Sequence, residues 1–189
     1  MNKYQEIIKV AARVFKEKGY HAATVQDIAS EVGMLKGSLY YHIQGKEQLL
    51  AEVLMCAVKV LRDGLSKVLQ TGCPPEDKLK QAISFHLQAY LGHEELPVFY
   101  MEVSNLPPGL REKLNAAIKE YEDMWIKILQ DGTNSSAFRD DLPARIILHS
   151  VFGMCNWAHK WFRQDGQLSP PEVGEIFYEI VLDGIKKRV

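Results

Sequence analysis

Lys36, Gly37, Ser38, Tyr40, Tyr41 and His42 make a run of cationic, hydroxylic and aromatic hydrogen-bonding groups broken by one apolar side chain, Leu39. Groups of this kind donate to phosphate oxygens and base edges, and a glycine among them lets the backbone come close to whatever lies opposite. The chemistry is recognition rather than bond making, because no paired nucleophile and base accompanies the run. Leu39 and Ile43 are four apart, which puts both on one side of a helical piece and leaves the polar groups on the other.

Two further helices must hold such a piece in place. Thr24 is spaced to cap a helix with Asp27 reaching back three residues later, a capping box with Asp in the place of the usual Glu. Val25, Ile28, Ala29 and Val32 fall on one face at helical spacing, and Gly33 is a C-terminal stop able to take positive φ. The second piece then begins near Lys36, after a bridge of Met34 and Leu35. Residues 3–18 carry Tyr4, Ile7, Ile8, Ala11, Val14 and Phe15 on one stripe, with Lys16 and Lys18 in the last turn and Gly19 closing it. Three helices in this order form a helix-turn-helix, which lays its second helix in the DNA major groove with that helix's N-terminal residues at base edges. The alternative on spacing alone is a helical protein-interaction module whose hairpin contacts protein and not DNA.

The run V-G-M-L-K-G-S-L-Y-Y-H-I-Q-G-K-E-Q-L-L, preceded by A-A-T-V-Q-D-I-A, resembles the DNA-binding motif of the TetR family of one-component bacterial regulators over some fifty N-terminal residues. The resemblance implies phosphate contacts from Thr24, Ser38, Tyr40 and Lys46, base-edge contacts from Gln26, Lys36 and Gly37, and Tyr41 and His42 beside the backbone. With Val25, which precedes Gln26, these make the expected DNA-binding set. Two positions depart from the family pattern. Ile43 stands where an aromatic is usual, and Gly45 stands where a stronger N-cap such as Asn or Ser is usual, which predicts a looser start to the next helix.

Composition excludes several other classes. No apolar run approaches the 18 or so residues that a bilayer span needs, and the start Met1-Asn2-Lys3-Tyr4-Gln5-Glu6 lacks the apolar stretch of a signal peptide, so a cytoplasmic chain without membrane contact is expected. Cys56, Cys73 and Cys155 are odd in number and unpaired in spacing, which argues against a disulfide framework or a zinc site. No metal or cofactor is expected. G-x-S-x-G, G-x-G-x-x-G and Gly-rich phosphate loops are absent, and Pro97 occupies the second histidine's place in His93-Glu94-Glu95-Leu96-Pro97, so no catalytic residue is assigned and an enzyme is not expected. The net charge is −1, yet residues 1–50 carry seven Lys/Arg against five Asp/Glu. A small basic excess therefore lies on the half with the hairpin, compatible with a few phosphate contacts.

The rest of the chain reads as helices throughout. Periodic apolar residues predict a helix from about Lys46 to Gln70, a mechanical link between head and body, then helices at about 75–92, 110–130, 143–162 and 171–187. A short piece bounded by Pro97 lies at about 94–103, and a polar, mobile loop spans 131–143. The expected fold class is all-α with about nine helices: a DNA-binding domain at 1–45 and an effector-binding and dimerisation domain at 46–189. Apolar residues run almost all the way round 143–162, which implies burial on two sides. With the last helix it predicts a self-complementary homodimer face including Val151, Gly153, Phe162, Val173, Phe177, Ile180 and Gly184, and hence half-sites about 34 to 36 Å apart on double-stranded operator DNA. An excess of aromatic and polar groups marks the candidate small-molecule effector site: Phe85, His86, Tyr90, Phe99, Tyr100, Met101, Tyr121, Trp125, Met154, Trp157, Trp161 and Arg163. The segment N-W-A-H-K-W-F-R-Q-D-G-Q-L-S-P resembles the C-terminal part of TetR-like repressors that answer to acyl-CoA thioesters, which implies an acyl-CoA effector.

Overall fold

The structure is a computed structural model that describes residues 3–187, apart from the side chain of Tyr100. Its described helices are α1 (Lys3–Lys18), α2 (Val25–Val32), α3 (Lys36–Leu39), α4 (Lys46–Leu69), α5 (Pro75–Gly92), α6 (Glu95–Glu102), α7 (Pro108–Asn134), α8 (Ala144–Trp161) and α9 (Pro170–Ile185), with a 3-10 turn at Val103–Asn105. No strand occurs among the described residues beyond one isolated bridge between Phe138 and Lys186. The all-α class holds, and so does the order of the elements.

The chain divides into two compact units, residues 1–59 with 93–118 and residues 60–92 with 119–189. In the first, α1 buries Ile7, Ile8, Ala11, Val14 and Phe15 against Val25, Ile28, Ala29 and Val32 of α2, and Leu39, Ile43, Leu49, Leu50, Val53 and Leu54 complete the same core. A three-helix head of this size has little core of its own. Val98, Leu106, Leu114 and Ala117 from α6 and α7 extend it. The second unit packs α5 between α8 and α9. Gly174 of α9 makes that approach possible, since a Cβ there would lie 3.3 Å from the Ser84 Cα.

Three local readings change. Pro97 falls in the first turn of α6, where a backbone N–H has no helical partner to lose, so the helix runs through it instead of breaking there. The helix read as 110–130 extends to Asn134, and the following segment is tied down rather than loose: the Phe138 ring lies on Gly132, Arg139 N–H donates to the Ile185 carbonyl at 2.8 Å, and Lys187 N–H donates to Ala137 at 3.2 Å. Gly45 has φ 151, a conformation that side chains rarely adopt, so the backbone itself favours glycine where a better cap was expected. α4 still starts at Lys46, with Leu49 N–H donating to the Gly45 carbonyl at 3.0 Å.

Within the chain α8 is buried on one side only. Ile147, Leu148, Val151, Cys155 and Ala158 face inward, while Ile146, Trp157 and Trp161 are exposed, as are Ile176 and Ile180 of α9. Val151 and Val173, read as dimer-face residues, are 1 % and 4 % exposed and belong to the unit's own core. Their place in the stripe could not by itself tell the inner side of a helix from the outer one. Gly153 and Gly184 are exposed with open space beside them, and Phe162 and Phe177 are half-buried.

A Cβ at Gly64 would lie 1.8 Å from the Phe85 Cζ. Ala normally improves a helix by about 1 kcal/mol over Gly, and overpacking costs about 1–3 kcal/mol. Gly64→Ala should therefore lower stability in chemical denaturation despite its better helix propensity; an increase would mean that the Phe85 ring has somewhere else to go.

Candidate nucleic-acid interface and effector site

α2 is bounded by caps at both ends. Thr24 Oγ1 accepts from the Asp27 N–H at 3.1 Å, Thr24 N–H donates back to Asp27 Oδ2 at 2.8 Å, and Lys18 Nζ lies 2.9 Å from Asp27 Oδ1. The Lys18 hydrogen bond, then those from the Thr24 hydroxyl and N–H, pull the Asp27 carboxyl down to about 2. Gly33 closes α2 at φ 72, and Met34 N–H donates to the Ala29 carbonyl at 2.8 Å. Leu35 then runs extended into α3.

α3 has four residues, fixed from below by Leu39 at 0 % and Ile43 at 5 % exposure. Lys36, Gly37, Tyr40, Tyr41 and His42 are exposed, Ser38 is half-buried, and Thr24 and Gln26 of the preceding helix start are exposed as well. The Gln26 amide donates to Ser30 Oγ at 3.1 Å. Val25 is the exception among the expected DNA contacts. It is buried, because the residue after an N-cap here faces α1, and it belongs to the core that supports the motif. Lys46 is partly engaged by the protein: its ammonium lies 4.4 Å from the centre of the Tyr20 ring and donates to the His21 carbonyl at 3.3 Å.

A polar clamp that the sequence did not reveal fixes the turn between α1 and α2. Glu102 is 7 % exposed, and its carboxylate accepts from the Tyr20 N–H at 3.0 Å and from the Asn105 amide at 2.6 Å. Asn105 Oδ1 in turn lies 3.0 Å from His21 Nε2, and Lys16 Nζ donates to Glu94 at 2.9 Å. A glutamate at the end of a short apolar helix carries no periodic signal, so only the folded chain shows what it holds.

In the second unit His86, Tyr90, Tyr121 and Trp125, all named as effector candidates, come together, joined by Phe152 of α8. The His86 ring lies 4.8 Å from Phe152 and parallel to it within 6°, stacks on Tyr121, and meets Trp125 edge-on. Its Nδ1 is 2.7 Å from the Tyr121 hydroxyl and its Nε2 2.8 Å from Asn156 Oδ1. Burial pushes the imidazole down to about 4, against an opposing pull from Asn156, and pushes the Tyr121 hydroxyl up. A neutral ring has one donor and one acceptor, which gives a chain from Tyr121 O–H to Nδ1 and from Nε2–H to Asn156.

The other expected effector residues do not join this group. Phe85 points into the notch at Gly64, and Met154 is half-buried. Trp157 and Trp161 are exposed, with Trp161 against Phe177, and Arg163 is exposed and paired with Asp165. Phe99 packs on the core of the first unit and Met101 is exposed there, while the Tyr100 side chain lies outside the described residues. Helical spacing groups residues along one helix and cannot say which helices meet. A cleft of about 560 Å³ also opens in the second unit where the end of α5 meets the α8–α9 connection, lined by Gln88, Leu91, Phe162, Gln167, Leu168 and Glu172 among others. No group of three or more metal-ligating side chains occurs among the described residues.

A capped helix pair that turns its donors outward on a four-residue second helix, carried by a chain with a separate helical body, defines a helix-turn-helix DNA-binding regulator. Residues 7–53 match the family described as bacterial regulatory proteins, tetR family, and residues 72–185 match the tetracyclin repressor-like C-terminal domain. The HTH-type transcriptional repressor KstR2 of Mycolicibacterium smegmatis is 32% identical over 95% of this chain and 89% of its own length. The fatty acid metabolism regulator protein of Bacillus subtilis is 25% identical over 98% of this chain and 97% of its own. The crystal structure of AibR in complex with isovaleryl coenzyme A and operator DNA superposes with a TM-score of 0.87 at 26% identity, covering 95% of this chain and 97% of that one. The chain belongs to the TetR family of bacterial transcriptional regulators.

Lys36→Ala should weaken binding to the selected operator by about 1–3 kcal/mol in anisotropy titrations if the ammonium meets a base edge, whereas Lys46→Ala should reduce affinity on every duplex and flatten the dependence of log K on log salt by about 0.9. For His86, the folded value near 4 lies below that of a free imidazole, so the unfolded chain takes up a proton first as pH falls. Stability is intact above about pH 6.5 and declines towards pH 4 by about 3 kcal/mol from this residue. The ring-proton resonances of His86 should hold constant down to about pH 5; a midpoint near 6.5 would mean that the ring is solvated.

Proposed function

We propose that this chain is a homodimeric repressor that occupies an operator through Thr24, Gln26, Lys36, Gly37, Ser38, Tyr40, Tyr41, His42 and Lys46, and leaves it when a CoA thioester enters the second unit. In this reading residues 1–45 are the DNA-binding domain and residues 46–189 the effector-binding and dimerisation domain, working in the cytoplasm, where operator and thioester are both available. The observation that carries the effector assignment is similarity over 95% of the chain to a regulator solved with isovaleryl coenzyme A and operator DNA. The group around His86 supports it with a buried apolar wall bearing a few fixed polar atoms, the usual make-up of a small-molecule site. The exposed apolar side chains of α8 and α9 support the two-fold partner, because Ile146, Gly153, Trp157, Ile180 and Gly184 share helices already packed on their inner sides.

α4 contributes residues to both units, and effector binding acts through a change in its tilt that alters the spacing of the two heads. The coupling is negative, reciprocal by linkage, and of the usual size, about 1 to 3 kcal/mol. The test is a labelled operator, selected from genomic fragments, titrated with isovaleryl-, octanoyl- and palmitoyl-CoA and with free CoA. At least one thioester should weaken operator binding about fivefold or more while free CoA has no effect. If none of the thioesters changes the affinity, this effector class is wrong.

A further inference from the structure

We infer that Leu35 is a specificity-determining residue of the DNA interface, its side chain lying against the C5-methyl group of one thymine in each half-site; this rests on the reading that Lys36 to His42 face a duplex. Among the exposed large hydrophobic residues two project furthest into solvent, Tyr41 at 91 % and Leu35 at 80 % exposure, ahead of Ile146 at 61 %. Both lie in the eight residues from 35 to 42. Tyr41 has a hydroxyl to account for its place, whereas Leu35 has no polar atom. Its neighbour Met34 packs against the core of the head, so the bridge between α2 and α3 turns one apolar side chain in and the other out.

A single exposed leucine is unremarkable elsewhere on a protein surface. Here it stands directly before Lys36, on extended backbone with φ −70 and ψ 143, beside Lys36, Ser38, Tyr40, Tyr41 and His42, whose side chains offer hydrogen-bonding groups, while Leu39, the other leucine of the run, is buried. Folding gains nothing from a leucine left in water, while burying it against another apolar surface does. In the major groove the bases present one methyl group, that of thymine at C5, and every other recognition feature there is a donor or an acceptor. Lys36 suits the acceptors of a guanine in the same groove. The half-site is therefore expected to place a thymine next to the base pair that Lys36 reads.

Deoxyuridine keeps the pairing of thymine and removes only the methyl group, which makes the contact separable. The full chain is first used to select a duplex, and each thymine of that duplex is then replaced singly by deoxyuridine. One position in each half-site should weaken wild-type binding about fourfold, the value for one buried methyl group. Leu35→Ala should bind the parent duplex more weakly and be indifferent to deoxyuridine at that position. Lys36→Ala should bind weakly yet keep the deoxyuridine penalty. The inference is overturned if no thymine is sensitive to loss of its methyl group, or if Leu35→Ala shows the same fold loss as wild type. Failure of Leu35→Ala to fold would also overturn it, by making the side chain a part of the interior. A wild-type chain that selects no duplex at all would instead remove the DNA-facing reading on which the inference stands.

Discussion

A helix of four residues has no stability of its own in water, where isolated helices shorter than about 12 residues are marginal. α3 therefore exists only because Leu39 and Ile43 are buried beneath it, at 0 % and 5 % exposure, in a core supplied by α1, α2 and the start of α4. The caps do the remaining work. Thr24 and Asp27 fix where α2 begins, Gly33 fixes where it ends, and the direction of Leu35 and Lys36 follows from those two points. Recognition by this chain is thus a consequence of apolar packing on the hidden side of a segment too short to hold itself.

The same head needs support beyond its three helices. Glu102 provides part of it by accepting hydrogen bonds from the Tyr20 backbone and Asn105, and a carboxylate in that position is stable only while those donors are in place. The second unit uses a comparable device around His86, where stacking on Phe152 and Tyr121 keeps an imidazole dry and neutral. Glu102 and His86 each meet specific hydrogen-bonding partners, which fixes the register of the helices they join more tightly than apolar contact alone.

Much of this was legible in the residues. The capping box, the αL glycine and the four-residue interval from Leu39 to Ile43 act locally, so spacing revealed them, and the exposed donors of α3 followed. Long-range pairings were hidden. Nothing in the sequence says that Glu102 meets Tyr20, that Phe152 covers His86, or that Phe85 fills the notch at Gly64, because each depends on which helices meet. Val151 and Val173 were misplaced for a related reason: a periodic stripe identifies an apolar face without saying whether the chain itself covers it. Pro97 misled because a proline in the first turn of a helix and one that ends a helix look alike in sequence.

Recognition depends on which surface the duplex covers. Hydrogen exchange of the full chain, measured with and without its selected operator, reads that surface directly. Slowed exchange concentrated in residues 24–46, with the outer faces of α8 and α9 unchanged by DNA, is the expected result. Unaltered exchange in that segment alongside new protection elsewhere would contradict it.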